Sequence, residues 1–271
     1  MRILNWQLFL EELIGEKPIK NLQDYIDGMN YTIKDKLFFV DMVNFDTIVD
    51  FGCADGTFLE NLSKIYPKVK LIGYDLDESM LNRARKRVPK AKFTNDWNEV
   101  KKLLWYSTSP LLNLSSVIHE VYSYSEEVQS FWNNQVFGGD FKYITIRDMI
   151  PSLELNKEEI SGFKNDIKNV RQKSNKSILD SFEDRWGTIT SYKNLVHYLM
   201  KYRFVDNWER ELNENYLPIS LETLKSKIPS NYKIVYEEDF LLPFLKQQVK
   251  KDFNVNLTHS THLKMILKRN D

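Results

Sequence analysis

Along the first 150 residues, short apolar runs alternate with segments whose apolar positions recur every three or four residues. The first pattern is that of buried strands and the second that of amphipathic helices. Residues 1–44 read as helical, and Leu37, Val40, Met42 and Val43 are expected to share one face. The run at 47–51 then ends on Gly52 and predicts a first strand. A helix over 57–66 follows, with Phe58, Leu59, Leu62 and Ile65 inward, stopped at Pro67. Residues 71–75 predict a second strand. Asp77 is placed to cap a helix over 78–88, which Pro89 closes. Strands are expected at 91–94, 111–116 and 143–147, and helices at 99–104 and 125–137. Strands and helices alternating at this spacing predict an α/β fold, a largely parallel sheet with helices on both faces.

After Pro151 the rhythm breaks. Residues 152–185 are polar with helical character, and 190–203 predict a helix with Leu195, Val196, Leu199 and Met200 on its apolar face. Two more strands are expected, at 233–237 and 262–268. The fifth and sixth strands are about 80 residues apart, where a crossover helix needs only about a dozen. The excess reads as a helical insertion, a lid or substrate cap. The expected organisation is therefore an N-terminal helical extension (1–44), a core (45–150), the insertion (151–230) and two closing strands (231–271).

Composition narrows the field. The 271 residues are 42% hydrophobic, enough for a packed core. Lys and Arg total 38, as do Asp and Glu, so the net charge is zero and a strongly basic nucleic-acid or membrane binder is disfavoured. A locally basic groove stays open. Cys53 is the single cysteine, which rules out an internal disulfide framework and Cys-rich zinc sites and suits a reducing cytoplasm. The N-terminal residues lack the features of a signal peptide, and no stretch approaches the ~20 apolar residues of a membrane span. A cytoplasmic protein without membrane contact is expected.

The strongest local signal is Asp50-Phe51-Gly52-Cys53-Ala54-Asp55-Gly56, after a strand and opening a helix. Small residues at 52, 54 and 56 let the chain turn sharply and a ligand approach the backbone. Such a crevice lies where open α/β sheets bind ligands. Asp75, at the end of the next strand, can accept hydrogen bonds from both hydroxyls of a ribose. A nicotinamide-dinucleotide domain is the nearest rival, but Asp55 would sit where that cofactor's pyrophosphate meets a helix N-terminus, a repulsive arrangement.

The pairing of Asp50-x-Gly52-x-Ala54-x-Gly56 with Asp75 resembles the class I S-adenosylmethionine (SAM)-dependent methyltransferases. Ala54 stands where the family motif more often has glycine. The resemblance covers roughly 45–150 by motif and the rest by strand count. It implies a seven-stranded, mostly parallel Rossmann-like sheet whose last strand is antiparallel. It also implies SAM as cofactor and S-adenosylhomocysteine (SAH) as product. By that resemblance the loop at Gly52, Cys53, Ala54 and Gly56 faces the methionine part of SAM. Asp50 contacts its amino group, Asp75 and Leu76 meet the ribose end, and Asp96 and Trp97 lie near the adenine. Ser115 and Ser116, at the end of the fourth strand, border the methyl group.

The same strand end carries His119, Glu120, Tyr122 and Tyr124. His119 has the intrinsic pKa of a general base, Glu120 could orient it or bind a cationic acceptor, and Tyr124 could line a pocket. Each also has a structural reading: a turn cap for His119, a surface charge for Glu120. Arg147 and Asp148, after the fifth strand, read as a salt bridge tying the lid to the sheet. The Asn/Asp-Pro-Pro-aromatic signature of base N-methylation is absent, and so is paired-Cys chemistry. His259 and His262 have no evident carboxylate partner, so no metal is expected. The acceptor is read as a small molecule. RNA or a nucleotide remains open through the basic and aromatic residues Tyr192, Lys193, His197, Tyr198, Lys201, Tyr202 and Arg203, a pattern that suits single-stranded nucleic acid if exposed. A non-catalytic SAM-binding role is the third alternative.

Overall fold

The structure, a computed structural model, describes residues 31–156 and 163–270. Residues 1–30 of the expected N-terminal helical extension and 157–162 of the expected insertion lie outside the described residues.

Seven strands form one sheet in the order β3-β2-β1-β4-β5-β7-β6. They are β1 (Thr47–Phe51), β2 (Lys70–Tyr74), β3 (Lys92–Thr94), β4 (Pro110–Ser115), β5 (Tyr143–Asp148), β6 (Tyr232–Phe240) and β7 (His262–Arg269). The first five pair in parallel, whereas β7 runs antiparallel to both β5 and β6. This is the α/β Rossmann-like sheet that the sequence resemblance implies.

β1 is buried along its whole length. That explains its nearly continuous apolar run, since a parallel strand is covered on both faces. Alternate residues still divide between two cores. Val49 and Phe51 join Leu112, Leu114 and Ile146 on one side of the sheet. Ile48 joins Leu71, Leu81 and Leu111 on the other. The second core is covered by α1 (Tyr31–Lys36) with the turns after it, α2 (Thr57–Ile65) and α3 (Glu78–Arg87). The first is covered by α4 (Trp97–Leu104), α5 (Ile118–Tyr124) and the segment Val128–Ser130 (α6). There the expected 125–137 helix divides: α6 passes into a π-helical turn, Phe131–Val136, that buries Phe131, Trp132 and Val136. Near the N-terminal end, Leu37, Val40 and Val43 are buried as expected, but Met42 is 50% exposed. The helix ends at Lys36, and the following turns no longer hold helical spacing.

Between β5 and β6 run α7 (Lys164–Lys173), α8 (Lys176–Trp186), α9 (Tyr192–Lys201), α10 (Trp208–Asn213) and α11 (Leu221–Lys227). α12 (Pro243–Phe253) lies between β6 and β7. Most of these helices share an apolar core of their own around Phe182, Leu195, Leu199 and Phe253. The basic and aromatic residues of α9 do not form an open surface: Tyr192, His197, Tyr198 and Lys201 are all buried. The Lys201 ammonium donates to the carbonyls of Glu211 and Glu214 and lies 4.2 Å from the centroid of the Tyr216 ring. It thereby satisfies carbonyls that the end of α10 leaves open. Burial lowers its pKa to about 8, against the pull of Glu214 and Glu211. Among the described residues, no helix is long and apolar enough to cross a membrane.

Candidate cofactor and acceptor site

β1 has β2 on one side and β4 on the other, so the sheet's connections reverse at its carboxyl end. A crevice opens at such a switch point. Three residues of the loop beyond β1 take positive φ: Gly52 (75°), Ala54 (44°) and Gly56 (79°). A Cβ on Gly52 would stand 2.7 Å from Val117 Cγ2, so the β1 and β4 loops approach as closely as glycine permits. The Gly52 and Cys53 amides donate to the Tyr74 carbonyl at 2.8 and 3.0 Å, pinning the loop to the end of β2. The Asp75 carboxylate accepts from the Ala54 amide at 2.8 Å through Oδ2 and from the Asp77 amide at 2.9 Å through Oδ1. Each oxygen keeps acceptor capacity for a further donor. Asp55 turns back to accept from the Thr57 amide and hydroxyl at 3.2 and 2.7 Å and pairs with Arg87 at 2.7 Å. It thus occupies the N-terminal end of α2, the place a dinucleotide pyrophosphate would need.

A cavity of about 530 Å³ lies against this loop. Of the residues singled out in the sequence, Gly52, Asp75, Leu76, Glu120 and Tyr124 line it. Phe51, Tyr74 and Phe131 form its apolar wall; no sequence pattern marks Tyr74 or Phe131, while Phe51 lies inside the motif itself.

The other expected cofactor residues stand around the cavity rather than on its wall. Asp50 is buried, and its Oδ1 accepts from Asn113 Nδ2 at 2.8 Å; Thr145 in turn donates to Asn113 Oδ1 at 2.9 Å. Burial pushes the Asp50 carboxyl up to about 7, with Asn113 and Lys36 pulling the other way. Cys53 is buried and its thiol pKa is raised by burial. Gly56 lies close to Ala84. Asp96 caps α4, accepting from the Asn98 amide at 2.8 Å. Trp97 packs edge-on to Phe51 and Tyr74, at 5.4 and 5.1 Å between ring centroids. Ser116, at φ 56°, accepts from Arg147 Nη1 at 3.1 Å. The neighbouring Ser115 hydroxyl is buried with no hydrogen-bond partner among the described residues.

Asp148 organises the start of α5, the helix that carries Glu120 and Tyr124. Its Oδ2 accepts the Val117 and Ile118 amides at 2.9 and 2.7 Å, and its Oδ1 lies 2.8 Å from His119 Nδ1. His119 is buried behind Glu120, with Nε2 3.7 Å from Glu214 Oε2. Burial disfavours a charged imidazole, but the Asp148 carboxylate, helped by Glu214, outweighs it and lifts the pKa to about 10. In this arrangement the ring keeps its proton at neutral pH. Arg210 joins the acids, donating through Nε to Glu214 Oε1 at 2.8 Å and through Nη2 to Glu120 Oε1 at 2.9 Å. Ser123 Oγ accepts the Asn215 amide at 2.7 Å. The stretch from Arg210 to Tyr216 is thereby fastened to α5. Glu214 could not be found from local sequence, because its partners lie some 90 positions away. The expected Arg147–Asp148 pair does not form: Arg147 instead pairs with Asp35 at 2.7 Å, while Asp148 serves His119 and the backbone. This is a geometric consequence of strand alternation, which sends neighbouring side chains to opposite faces. His262 is also buried, 2.8 Å from the Thr261 hydroxyl, and burial pulls its pKa down to about 3.

Residues 48–102 match the family model of a methyltransferase domain. Two kinds of enzyme stand among the similar curated proteins. The trans-aconitate 2-methyltransferase of Variovorax paradoxus is 44% identical over 46 residues, 17% of this chain and 18% of that protein. The malonyl-[acyl-carrier protein] O-methyltransferase of Legionella pneumophila is 45% identical over 40 residues, 15% of this chain and 14% of that one. The chain thus spans about a fifth or less of the length of the curated relatives it matches. Among solved structures, the plantazolicin methyltransferase BpumL, in complex with a pentazolic desmethylPZN analog and SAH, aligns with a TM-score of 0.47 at 15% identity, over 92% of this chain and 89% of that one. The MccD protein aligns with a TM-score of 0.46 at 11% identity, over 90% and 98%. The segment that carries the glycine loop and Asp75 is therefore similar in sequence to a methyltransferase domain.

The residues present fit SAM. The glycine cradle admits no larger side chain at 52, Asp75 has acceptor capacity to spare, and Leu76, 78% exposed, lies on the rim beside it. Asp50 is a buried carboxyl behind the loop, suited to an ammonium group.

Proposed function

We propose that this protein is a SAM-dependent methyltransferase whose acceptor is a small molecule. The observation that carries the reading is the shared cavity: Gly52, Asp75 and Leu76 line it together with Glu120 and Tyr124, so a cofactor end and an acceptor end face one space. When bound, SAM supplies an electrophilic methyl group on a sulfonium. The chain's part is to hold the ribose at Asp75, keep the loop backbone close, and align the acceptor for in-line attack. Glu120 and Tyr124 meet the acceptor. His119, charged and held by Asp148, is a positioning residue that fixes α5 and the Arg210–Tyr216 stretch around it.

The acid-lined wall supports a neutral or cationic acceptor over a polyphosphate. Asp75, Glu120, Glu126 and Glu127 contribute to it, and among the described residues no Lys or Arg does. Of the basic and aromatic residues that favoured RNA, Tyr192, His197, Tyr198 and Lys201 are buried, Lys193 and Tyr202 are half-buried, and Arg203 is exposed. The test is to incubate the protein with methyl-labelled SAM and a cell extract divided into RNA, DNA, protein and small-molecule pools. Label in the small-molecule pool is expected. Label confined to a nucleic-acid or protein pool would refute the acceptor reading. SAM binding with no label in any pool would favour a non-catalytic role.

A further inference from the structure

We propose that His119, Glu120 and Glu214 form a binding site for a divalent transition-metal ion at the acceptor end of the cavity. One donor atom from each lies within 4.8 Å of the other two. The separation of His119 Nε2 from Glu214 Oε2, 3.7 Å, is too long for a hydrogen bond. It is the spacing of two ligands on one ion: with bonds of about 2.1 Å, the angle at the metal is about 120°. The other ring nitrogen, Nδ1, lies 2.8 Å from Asp148. A carboxylate there fixes the ring orientation and aims Nε2 at the metal, the arrangement of histidine ligands generally.

Arg210 is compatible with the ion. It uses Oε1 of both Glu120 and Glu214, while Oε2 of Glu214 faces His119. An ion would displace the proton that His119 Nε2 otherwise carries; three carboxylates (Glu120, Glu214, Asp148), the neutral imidazole so formed, one guanidinium and a divalent cation then sum to zero charge. The nitrogen donor sets the metal class. One imidazole with two carboxylates suits Mn²⁺, Fe²⁺ or Zn²⁺ better than Mg²⁺, which prefers oxygen throughout. The sequence expectation was of no metal, and this proposal departs from it. That expectation rested on the single cysteine, the lack of a His-rich cluster and the isolation of His259 and His262, whereas the third ligand here arrives from the segment after α10.

Glu120 is a ligand and also lines the cavity, so open coordination positions would face the acceptor. The role of the ion rests on the methyltransferase reading; its binding does not. An acceptor hydroxyl on the ion would lose its proton to solvent. The oxygen lone pair would then form the C–O bond while the C–S bond breaks and its pair stays on sulfur.

The test uses the full chain, stripped with a chelator and titrated separately with Mn²⁺ and Zn²⁺, with SAM binding measured on the same sample. One ion per chain is expected, with nitrogen coupling in the electron-spin-echo spectrum of bound Mn²⁺. Because His119 anchors α5, the variants are Glu120→Gln and Glu214→Gln, checked for unchanged circular dichroism. Each is expected to weaken binding at least tenfold, in the range that disturbing a metal site typically costs. Failure of both ions to bind to protein that binds SAM would overturn the proposal, as would binding that both variants leave unchanged. Metal binding without SAM binding would leave this site standing and instead remove the methyltransferase reading.

Discussion

The Asp75 carboxylate accepts the backbone N–H of Ala54 at 2.8 Å, joining two parts of the cofactor motif that lie 21 positions apart in the chain. The loop after β1 and the acid after β2 therefore form one unit. The carboxylate proposed to bind a ribose also holds the glycine-rich turn.

Gly52 is the position in that unit least able to change. Alanine there would take a left-handed φ, costing about 1–2 kcal/mol, and would press its methyl against Val117. Gly52→Ala is expected to lower the urea midpoint and to weaken SAM binding, because the Val117 loop must retreat into the cavity. Wild-type stability and affinity together would remove the steric account of this loop.

Asp50 gives a pH dependence with a definite sign. Its folded pKa, about 7, lies above the value near 3.9 of an unfolded aspartate. Between those values the folded chain holds the extra proton, so this group's contribution to stability falls as pH rises and the penalty is complete above about 7. The full span is on the order of a few kcal/mol. Lys36 offsets part of it, and Asp75 adds to it. Asp50→Asn keeps an acceptor for Asn113 and removes the titration. In chemical denaturation from pH 4 to 8, the variant is expected to gain on the wild type steadily up to about pH 7. A stability difference independent of pH would show that Asp50 does not titrate in this range.

Lys201 joins α9 to the segment that carries Glu214. Replacing it with methionine keeps the stem but leaves the Glu211 and Glu214 carbonyls without their donor. Breaking charged hydrogen bonds of this kind costs about 1.5–3 kcal/mol. Lys201→Met is expected to lower Tm by several degrees and to reduce methyl transfer more than SAM affinity, since the cofactor end is remote from it. An unchanged Tm would contradict its structural role.

The geometry of the loop after β1 and of the acid after β2 was legible in the sequence because its determinants are local. A strand, a small-residue turn and an acid at the end of the next strand all fall within one βαβ unit. The sheet was legible for the same reason, each strand being bounded by turn residues. The acceptor end was not. Glu120 and Tyr124 were identifiable by position, but Glu214 and Arg210 reach them only through tertiary packing. The helix carrying Lys201 has the composition of an exposed basic face, and only the packing of α8 and α10 against it reveals that it is buried. Met42 is exposed for a simpler reason: the helix stops at Lys36, and helical spacing does not hold in the turns beyond it.

The measurement that tests the central claim most directly is calorimetric titration of the full chain with SAM and with SAH, repeated on Asp75→Ala. One site per chain is expected for each ligand in the wild type. The variant should keep its fold by circular dichroism and lose at least tenfold in affinity, about the value of a charged hydrogen bond. No binding of either ligand to the wild type, or binding that Asp75→Ala leaves unchanged, would contradict the assignment of this crevice as the SAM site.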